Sequence, residues 1–358
     1  MGRRRAKAKA GKPKAGGGAD KPATSLLGDR EARDQFTEAG LVMTNSMRRQ
    51  FTGCRRRCYW QYVQRLTPRA VFVPYLTGGL FHAELGAAYL GTSGMCDPDV
   101  DKPKPFTFDA QLAAARVTAV VEAALKDSVG LTPEDVDKVW MQQAVVCGMV
   151  AGHAKRYLKQ DRAAWKVLGV EVKDTVLPIR GTGWSLAGAL DLLVEEKGKP
   201  LIVEHKTTAD ISASYVARIP LDWQILGYAW LAAAKLGRPV NWVVYNMVKK
   251  PTIRQRKGET MEGFLERLED VYATEPHKYF HRERVKVTAP MVKAFLAELA
   301  QFVGEFDRCL ETGFWYQNAY ACDLRGACPY MRLCLEGPNK ANLLHYTRRA
   351  AKHAELED

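Results

Sequence analysis

Hydrophobic positions along this 358-residue chain change their spacing twice, and the changes mark out three kinds of segment. Residues 1 to about 28 hold almost no large apolar side chain, so nothing there offsets the entropy of ordering and a disordered tail is expected. Apolar residues at helical spacing follow. They predict a helix from Met47 to about Arg65, a loop at Leu76–Gly79 entering a helix through His82 to about Leu90, and a helix over Phe108–Asp127. Residues 91–106, with Gly, Asp and several Pro, read as a loop. Thr132-Pro133-Glu134-Asp135 offers an N-cap hydroxyl and a first-turn proline, the start of a helix to about Leu158.

The period then drops to two. Val167–Pro178, Ser185–Glu196 and Leu201–Thr208 read as consecutive strands, the last two joined by a turn at Gly198-Lys199-Pro200. Asp222–Leu236 is an amphipathic helix ended by Gly237, Val240–Val248 a further strand, and Met261–Ala273 and Pro290–Leu310 are helices. An irregular cysteine-bearing stretch, Phe314–Cys334, precedes a short basic tail. The order strand-strand-strand-helix-strand predicts an α/β fold, a mixed central sheet flanked by helices.

Charge adds a partner class. Residues 1–21 hold eight Lys/Arg against one acid, Asp20, so about half of the net charge of +13 belongs to the rest of the chain. A folded part that is basic in its own right suits a polyanion, with the tail as a weak nonspecific arm. There is no run of 18 or more apolar residues, and no apolar segment follows the basic start, so neither a membrane span nor a secretory signal is expected. The eight cysteines are then expected in a reducing compartment, where spaced thiols suggest a metal centre more than disulfides. No phosphate-loop motif is present, which argues against an ATP-driven motor within the chain.

The candidate chemistry sits on the second and third strands. Leu201, Ile202 and Val203 begin a buried strand, and Glu204 and Lys206 then appear where further Val or Ile would be expected. Strand alternation puts Glu204 and Lys206 on one face and His205 on the other, with Asp191 of Gly188-Ala-Leu-Asp191 on the neighbouring strand. Two carboxylates and an ammonium in such a place are costly unless paired or bound to a metal. Two carboxylates suit Mg²⁺ or Mn²⁺, and a lysine beside them suits orientation of water or neutralisation of an oxyanion. A buried salt-bridge triad is the alternative.

Asp191, twelve intervening residues, then Glu204-x-Lys206 resembles the PD-(D/E)xK nuclease superfamily, and specifically its RecB-like exonuclease branch. The resemblance spans roughly residues 41–336 and implies a restriction-endonuclease-like fold. It implies that Asp191, Glu204 and the backbone carbonyl of His205 are metal ligands and that Lys206 is catalytic. Gly78-x-x-x-His82 is similar to the family's upstream motif, whose histidine is a metal ligand. Gln224-x-x-x-Tyr228 is similar to the motif that touches the catalytic groups and the DNA backbone. Glu171 also resembles a family position on the first strand.

Cys322, Cys328 and Cys334 are evenly spaced and suggest a metal site short of a fourth ligand, for which Cys54 is the natural candidate. Spacing alone leaves zinc and an iron–sulfur centre equally open. Cys54-x-Arg56-Arg57-x-Tyr59-Trp60 resembles the early cysteine motif of the iron–sulfur members of this group, which implies a [4Fe–4S] cluster held by Cys54, Cys322, Cys328 and Cys334. The family's late spacing is C-x2-C-x5-C; here it is C-x5-C-x5-C, with Arg325 where the first cysteine would lie, and Cys58 is an alternative ligand. Cys96, Cys147 and Cys309 read as small core or surface residues.

Two stretches mix arginine with aromatic residues, Arg55–Arg57 with Tyr59 and Trp60, and Tyr279-Phe280 with His281-Arg282-Glu283-Arg284, a combination suited to single-stranded DNA; a solvated helix face with core aromatics is the alternative for each. The expected organisation is a tail (1–28), one nuclease domain (29–336) with a helical insertion (about 107–160) and a cysteine clasp (54 with 322–334), and a tail (337–358). The resemblance implies a cytoplasmic Mg²⁺- or Mn²⁺-dependent exonuclease acting on single-stranded DNA ends, similar to the stand-alone nucleases of phages and CRISPR adaptation systems. A recombination or helicase protein is the implied partner. A non-catalytic DNA-binding scaffold of the same fold is the alternative.

Overall fold

The computed structural model describes residues 21–23, 25–70, 73–90, 108–128, 130–323, 327–350, 352–353 and 356. The tail through residue 20, the loop 91–106 with Cys96, and Arg325 lie outside the described residues. β1 (Lys21–Pro22), α1 (Asp29–Glu38) and β2 (Val42–Met43) lead to α2 (Asn45–Gly53), capped by the Thr44 hydroxyl on the Met47 amide. The single helix expected over Met47–Arg65 breaks at Cys54, whose extended backbone separates α2 from α3 (Arg55–Cys58); a π-helical turn, Tyr59–Val63, and β3 (Leu66–Pro68) follow. α4 (Val73–Leu90) takes in Gly78 and Gly79, which were expected in a loop, because Leu80, Phe81 and Leu85 bury against the sheet and hold the glycines in helix. α5 (Ala110–Asp127) and α6 (Pro133–His153) lie close to expectation, α6 opening on a reciprocal Thr132–Asp135 capping box. A π-helical turn, Ala154–Leu158, joins α6 to α7 (Lys159–Ala164).

Two expected strands each divide. Val167–Pro178 becomes β4 (Trp165–Val172) and β5 (Val176–Pro178), parted by the polar Lys173-Asp174-Thr175. Ser185–Glu196 becomes β6 (Ser185–Ala187) and β7 (Leu190–Glu196), parted at Gly188. β8 (Lys199–Thr208), α8 (Ala213–Ala217) and α9 (Trp223–Leu236) follow, α9 stopping at Gly237 in the left-handed region (φ 64°). The remainder is β9 (Trp242–Lys249), α10 (Met261–Thr274), α11 (Pro276–Tyr279), β10 (Phe280–Lys286), α12 (Ala289–Thr312), α13 (Met331–Leu335), α14 (Lys340–Leu343) and β11 (Tyr346–Arg348).

The central mixed sheet has the order β10-β9-β8-β7-β4, with β8 and β9 parallel and the other pairs antiparallel. β5 and β6 join β2 in a small second sheet, and β1, β11 and β3 form a third. Both chain ends were expected as tails, yet Lys21 pairs with Arg348 and Pro22 with Thr347. On one face of the central sheet Leu193, Ile202, Val243, Tyr245 and Met247 pack under α9 and α12. On the other, Leu192, Val194, Leu201, Val203 and Val244 pack under α4, α5 and α6. Among the described residues no helix is long and apolar enough to cross a membrane.

Candidate active site

Asp191 and Glu204 stand one residue beyond the last β7–β8 pair, Leu192 with Val203, so the ladder brings the two carboxylates side by side. Asp191 Oδ1 meets His82 Nδ1 of α4 at 3.1 Å, and its Oδ2 accepts the backbone N–H of His205 at 2.7 Å. Glu204 is fully buried; its Oε1 accepts from the Lys206 ammonium and, at 2.7 Å, from the Gln224 amide. The same Gln224 nitrogen lies 3.1 Å from the Tyr228 hydroxyl, one helical turn along α9. Gly188 is required here, because a Cβ would run into the Tyr228 ring. His82, Asp191, Glu204, Lys206, Gln224 and Tyr228 therefore converge, from α4, β7, β8 and α9.

The His205 side chain points away, as strand alternation demands. It sits on the α4/α6 side in a buried network in which the Asn246 amide reaches His205 Nδ1 at 2.9 Å and His153 Nε2 at 2.6 Å. Arg282 Nε donates to Asn246 Oδ1 at 3.1 Å, and its two terminal nitrogens grip Asp161 at 2.6 and 2.7 Å. Burial pushes the His205 imidazole down to about 3, so it is neutral. Only the His205 backbone faces Asp191.

Glu171 belongs with this group: ligand atoms of His82, Glu171 and Asp191 all lie within 4.8 Å of one another. It falls between the β4–β7 pairs Val170–Leu192 and Val172–Leu190, just past an irregularity in the ladder, and holds a positive φ of 48°. That conformation is costly for a residue with a long side chain, and such strain collects at functional sites. The sequence signal for Glu171 was a single family position. The backbone irregularity that turns it toward Asp191 has no sequence signature.

Three carboxyls share the site with the Lys206 ammonium and the His82 imidazole. Burial raises the Glu204 carboxyl and the Asp191 charge raises it further, with Lys206 opposing. Burial would raise Asp191 too, but His82 and then Lys206 hold it below the ordinary carboxylate range. Burial likewise raises Glu171, with Asp191 adding to it. Lys206 stays an ammonium, because Glu204 and Asp191 outweigh the burial that would lower it. Glu204 Oε2 is buried without a hydrogen-bond partner. An orphaned carboxylate oxygen among three acids and one lysine is a place for a cation. Oxygen donors with one imidazole suit Mg²⁺ or Mn²⁺.

The cysteines gather elsewhere. The Asn318 N–H donates to Cys54 Sγ at 3.3 Å, and the Asn318 side chain donates to the Gly53 carbonyl at 2.9 Å. The Cys322 thiol faces the Asn318 carbonyl at 3.8 Å, and the Cys328 N–H donates to the Cys322 carbonyl at 2.7 Å. Burial raises the Cys328 and Cys334 thiols, and nearby cysteines add to it. Among the described residues, no three of these sulfurs lie within 4.8 Å of one another. Cys58 is instead fully buried, its thiol toward the Met47 carbonyl at 3.8 Å, and Cys147 and Cys309 are core residues.

In both arginine–aromatic stretches the alternative of core aromatics holds. Tyr59, Trp60, Tyr279 and Phe280 are buried. Arg282 is turned inward onto Asp161, and Arg284 pairs with Glu196. Strand β10 was missed because its alternation, Phe280 and Arg282 inward, reads as a surface of mixed charge.

Compared with protein families, residues 43–335 match the PD-(D/E)XK nuclease superfamily, and the chain belongs to it. Members are usually nucleases and typically use Mg²⁺ or Mn²⁺. No curated protein matches the chain.

Proposed function

We propose that this member of the PD-(D/E)XK nuclease superfamily is a Mg²⁺- or Mn²⁺-dependent deoxyribonuclease of the RecB-like branch, working as an exonuclease on single-stranded DNA ends. The observation that carries the reading is the buried carboxylate group with its orphaned Glu204 oxygen beside Lys206. Asp191, Glu204, Glu171, His82 and the His205 carbonyl would hold the cation. A bound divalent ion supplies charge at the scissile phosphate and acidifies water. Lys206, held as an ammonium, orients the attacking water and neutralises charge growing on the phosphoryl oxygens. The water oxygen bonds to phosphorus as the P–O bond to the leaving nucleoside breaks, and the water's proton is released as the leaving oxygen gains one. Gln224 fixes the Glu204 carboxylate and, with Tyr228, faces the DNA backbone.

We assign Cys54, Cys322, Cys328 and Cys334 to a [4Fe–4S] cluster that fastens the early and late parts of the domain. Tetrahedral zinc needs sulfurs about 3.8 Å apart, from bonds of about 2.3 Å, closer than these thiols stand as a group. Cys334→Ala should lose bound iron and the visible absorption of the cluster; unchanged iron content and melting would reject the assignment. The pathway fits recombination, repair or phage DNA processing, with a helicase or recombination protein as partner. A non-catalytic scaffold is the second reading, and the intact Asp191, Glu204 and Lys206 group favours the enzyme. Asp191→Ala should reduce cleavage of end-labelled DNA by roughly 10³-fold or more while DNA binding survives. Persistent cleavage by the purified variant would refute the site.

A further inference from the structure

We infer that α2 and the segment following α12 form a track on which single-stranded nucleic acid approaches the site, phosphates along Arg48 and Arg55 and bases on Tyr316, Phe314 and Tyr320. The track rests on the nuclease reading only for its destination.

On α2, Asn45, Arg48 and Thr52 recur at spacings of three and four, and the helix carries two arginines and no acid; Arg55 follows the break at Cys54. Arg48 lies over the Trp223 ring at 4.8 Å, and Trp223 precedes Gln224, whose amide holds Glu204. Arg55 lies over Phe51 at 4.6 Å and Tyr316 at 4.5 Å. Phe302 joins the two ends, edge-on to Phe51 at 5.3 Å and to Trp223 at 5.8 Å. An aromatic floor with guanidinium groups on it thus runs from the catalytic helix to Tyr316. Arg48 donates only to Asn45 Oδ1, at 3.1 and 3.3 Å; no carboxylate lies within ion-pair range of it among the described residues. Asp222, its nearest acid, is engaged in capping the Gln224 N–H. Arg55 shares its charge with Glu305 at 2.6 Å, so it is the weaker of the two phosphate positions.

Every strongly exposed aromatic ring among the described residues falls in one seven-residue stretch: Phe314 at 67%, Tyr316 at 46% and Tyr320 at 86%. The backbone beneath them is fixed. Trp315 is buried against Phe51, Tyr59 and Phe306. Arg56 donates to the Trp315 carbonyl at 2.6 Å through Nε and to the Tyr316 carbonyl at 3.1 Å through its N–H. Exposed rings on an anchored backbone beside arginines stack bases without first having to be ordered, and stacking is indifferent to sequence. A protein partner would use the rings equally well but gives no reason for the guanidinium row, which phosphates do.

The test uses the full chain carrying Asp191→Ala, so that binding is read without cleavage, with labelled oligothymidines of several lengths and a blunt duplex in fluorescence anisotropy. In that background affinity should rise with length. Adding Phe314→Ala, Tyr316→Ala and Tyr320→Ala should remove that gain, weakening the longest strand at least tenfold with a much smaller effect on the duplex. Tyr320→Ala alone, at the most exposed ring, should weaken it a fewfold without disturbing the fold. Arg48→Ala should lower the slope of log affinity against log salt by about 0.7. Unchanged length dependence in the triple variant, or equal losses on duplex and single strand, would overturn the track and leave the rings to a protein. Because none of these readings requires cleavage, the track can fail while the nuclease assignment stands, and the reverse.

Discussion

The two faces of β8 carry two buried polar groups, and they balance their charge differently. Behind the strand, His205, Asn246, Arg282 and Asp161 form a chain in which the one carboxylate is held by both arms of the one guanidinium. In front, Glu204, Asp191 and Glu171 face Lys206 and the His82 imidazole, and an oxygen of Glu204 is left over. The first group balances its charge within the protein, although His205 Nε2 and His153 Nδ1 are buried without hydrogen-bond partners. The second leaves a carboxylate oxygen unpartnered among three acids, and that difference in charge marks it as the candidate catalytic cluster. Taken residue by residue the two look alike, since each is a set of polar and charged groups buried against the central sheet.

The sharpest way to break this comparison is to unbalance the face behind the strand. Arg282→Met would strand the buried Asp161 carboxylate, and the loss should be about 3–5 kcal/mol, read by denaturant unfolding, with or without divalent metal. A loss under about 1 kcal/mol, the worth of an exposed pair, would mean that the network is not what holds α7 to β10.

The front face should respond to pH and metal instead. The Glu204 carboxyl is raised in the folded protein, so in chelator the folded state favours its protonated form. Its contribution to stability is therefore present at low pH and lost as pH rises from the ordinary glutamate range to the raised folded value. Asp191, held low, acts in the opposite sense and only at more acid pH. The buried neutral imidazoles of His205 and His153 act in the opposite sense below the ordinary histidine range, so metal-free melting should decline with pH only above that range, and saturating Mn²⁺ should cancel the decline by favouring ionised Glu204. At a hundred times its dissociation constant the ion would add about 2.7 kcal/mol. Parallel melting curves with and without Mn²⁺ would show that the carboxylates do not bind it.

How much of this was legible in sequence follows from how local each feature is. Thr132 and Gly237 announced helix ends because a cap is decided within a few residues. The Glu204–Lys206 pairing was legible because strand alternation is fixed by backbone geometry. Whether Tyr59 and Trp60 face solvent or core was not legible, because their burial depends on distant partners, among them Trp315, which meets Tyr59 at 5.5 Å. The division of Ser185–Glu196 between two sheets was hidden for the same reason: β6 pairs with β2 and β5, which the local pattern cannot reveal. Glu171 depended on a ladder irregularity and a positive φ, neither of which is written in residue type.

The most direct test of the central claim is cleavage of end-labelled single-stranded DNA by anaerobically purified protein, first in chelator and then with Mg²⁺ or Mn²⁺ restored. The account predicts no cleavage in chelator and progressive removal of nucleotides from an end once the ion returns. Cleavage that persists in chelator, or none with either metal while the protein remains folded and bound to DNA, would contradict it.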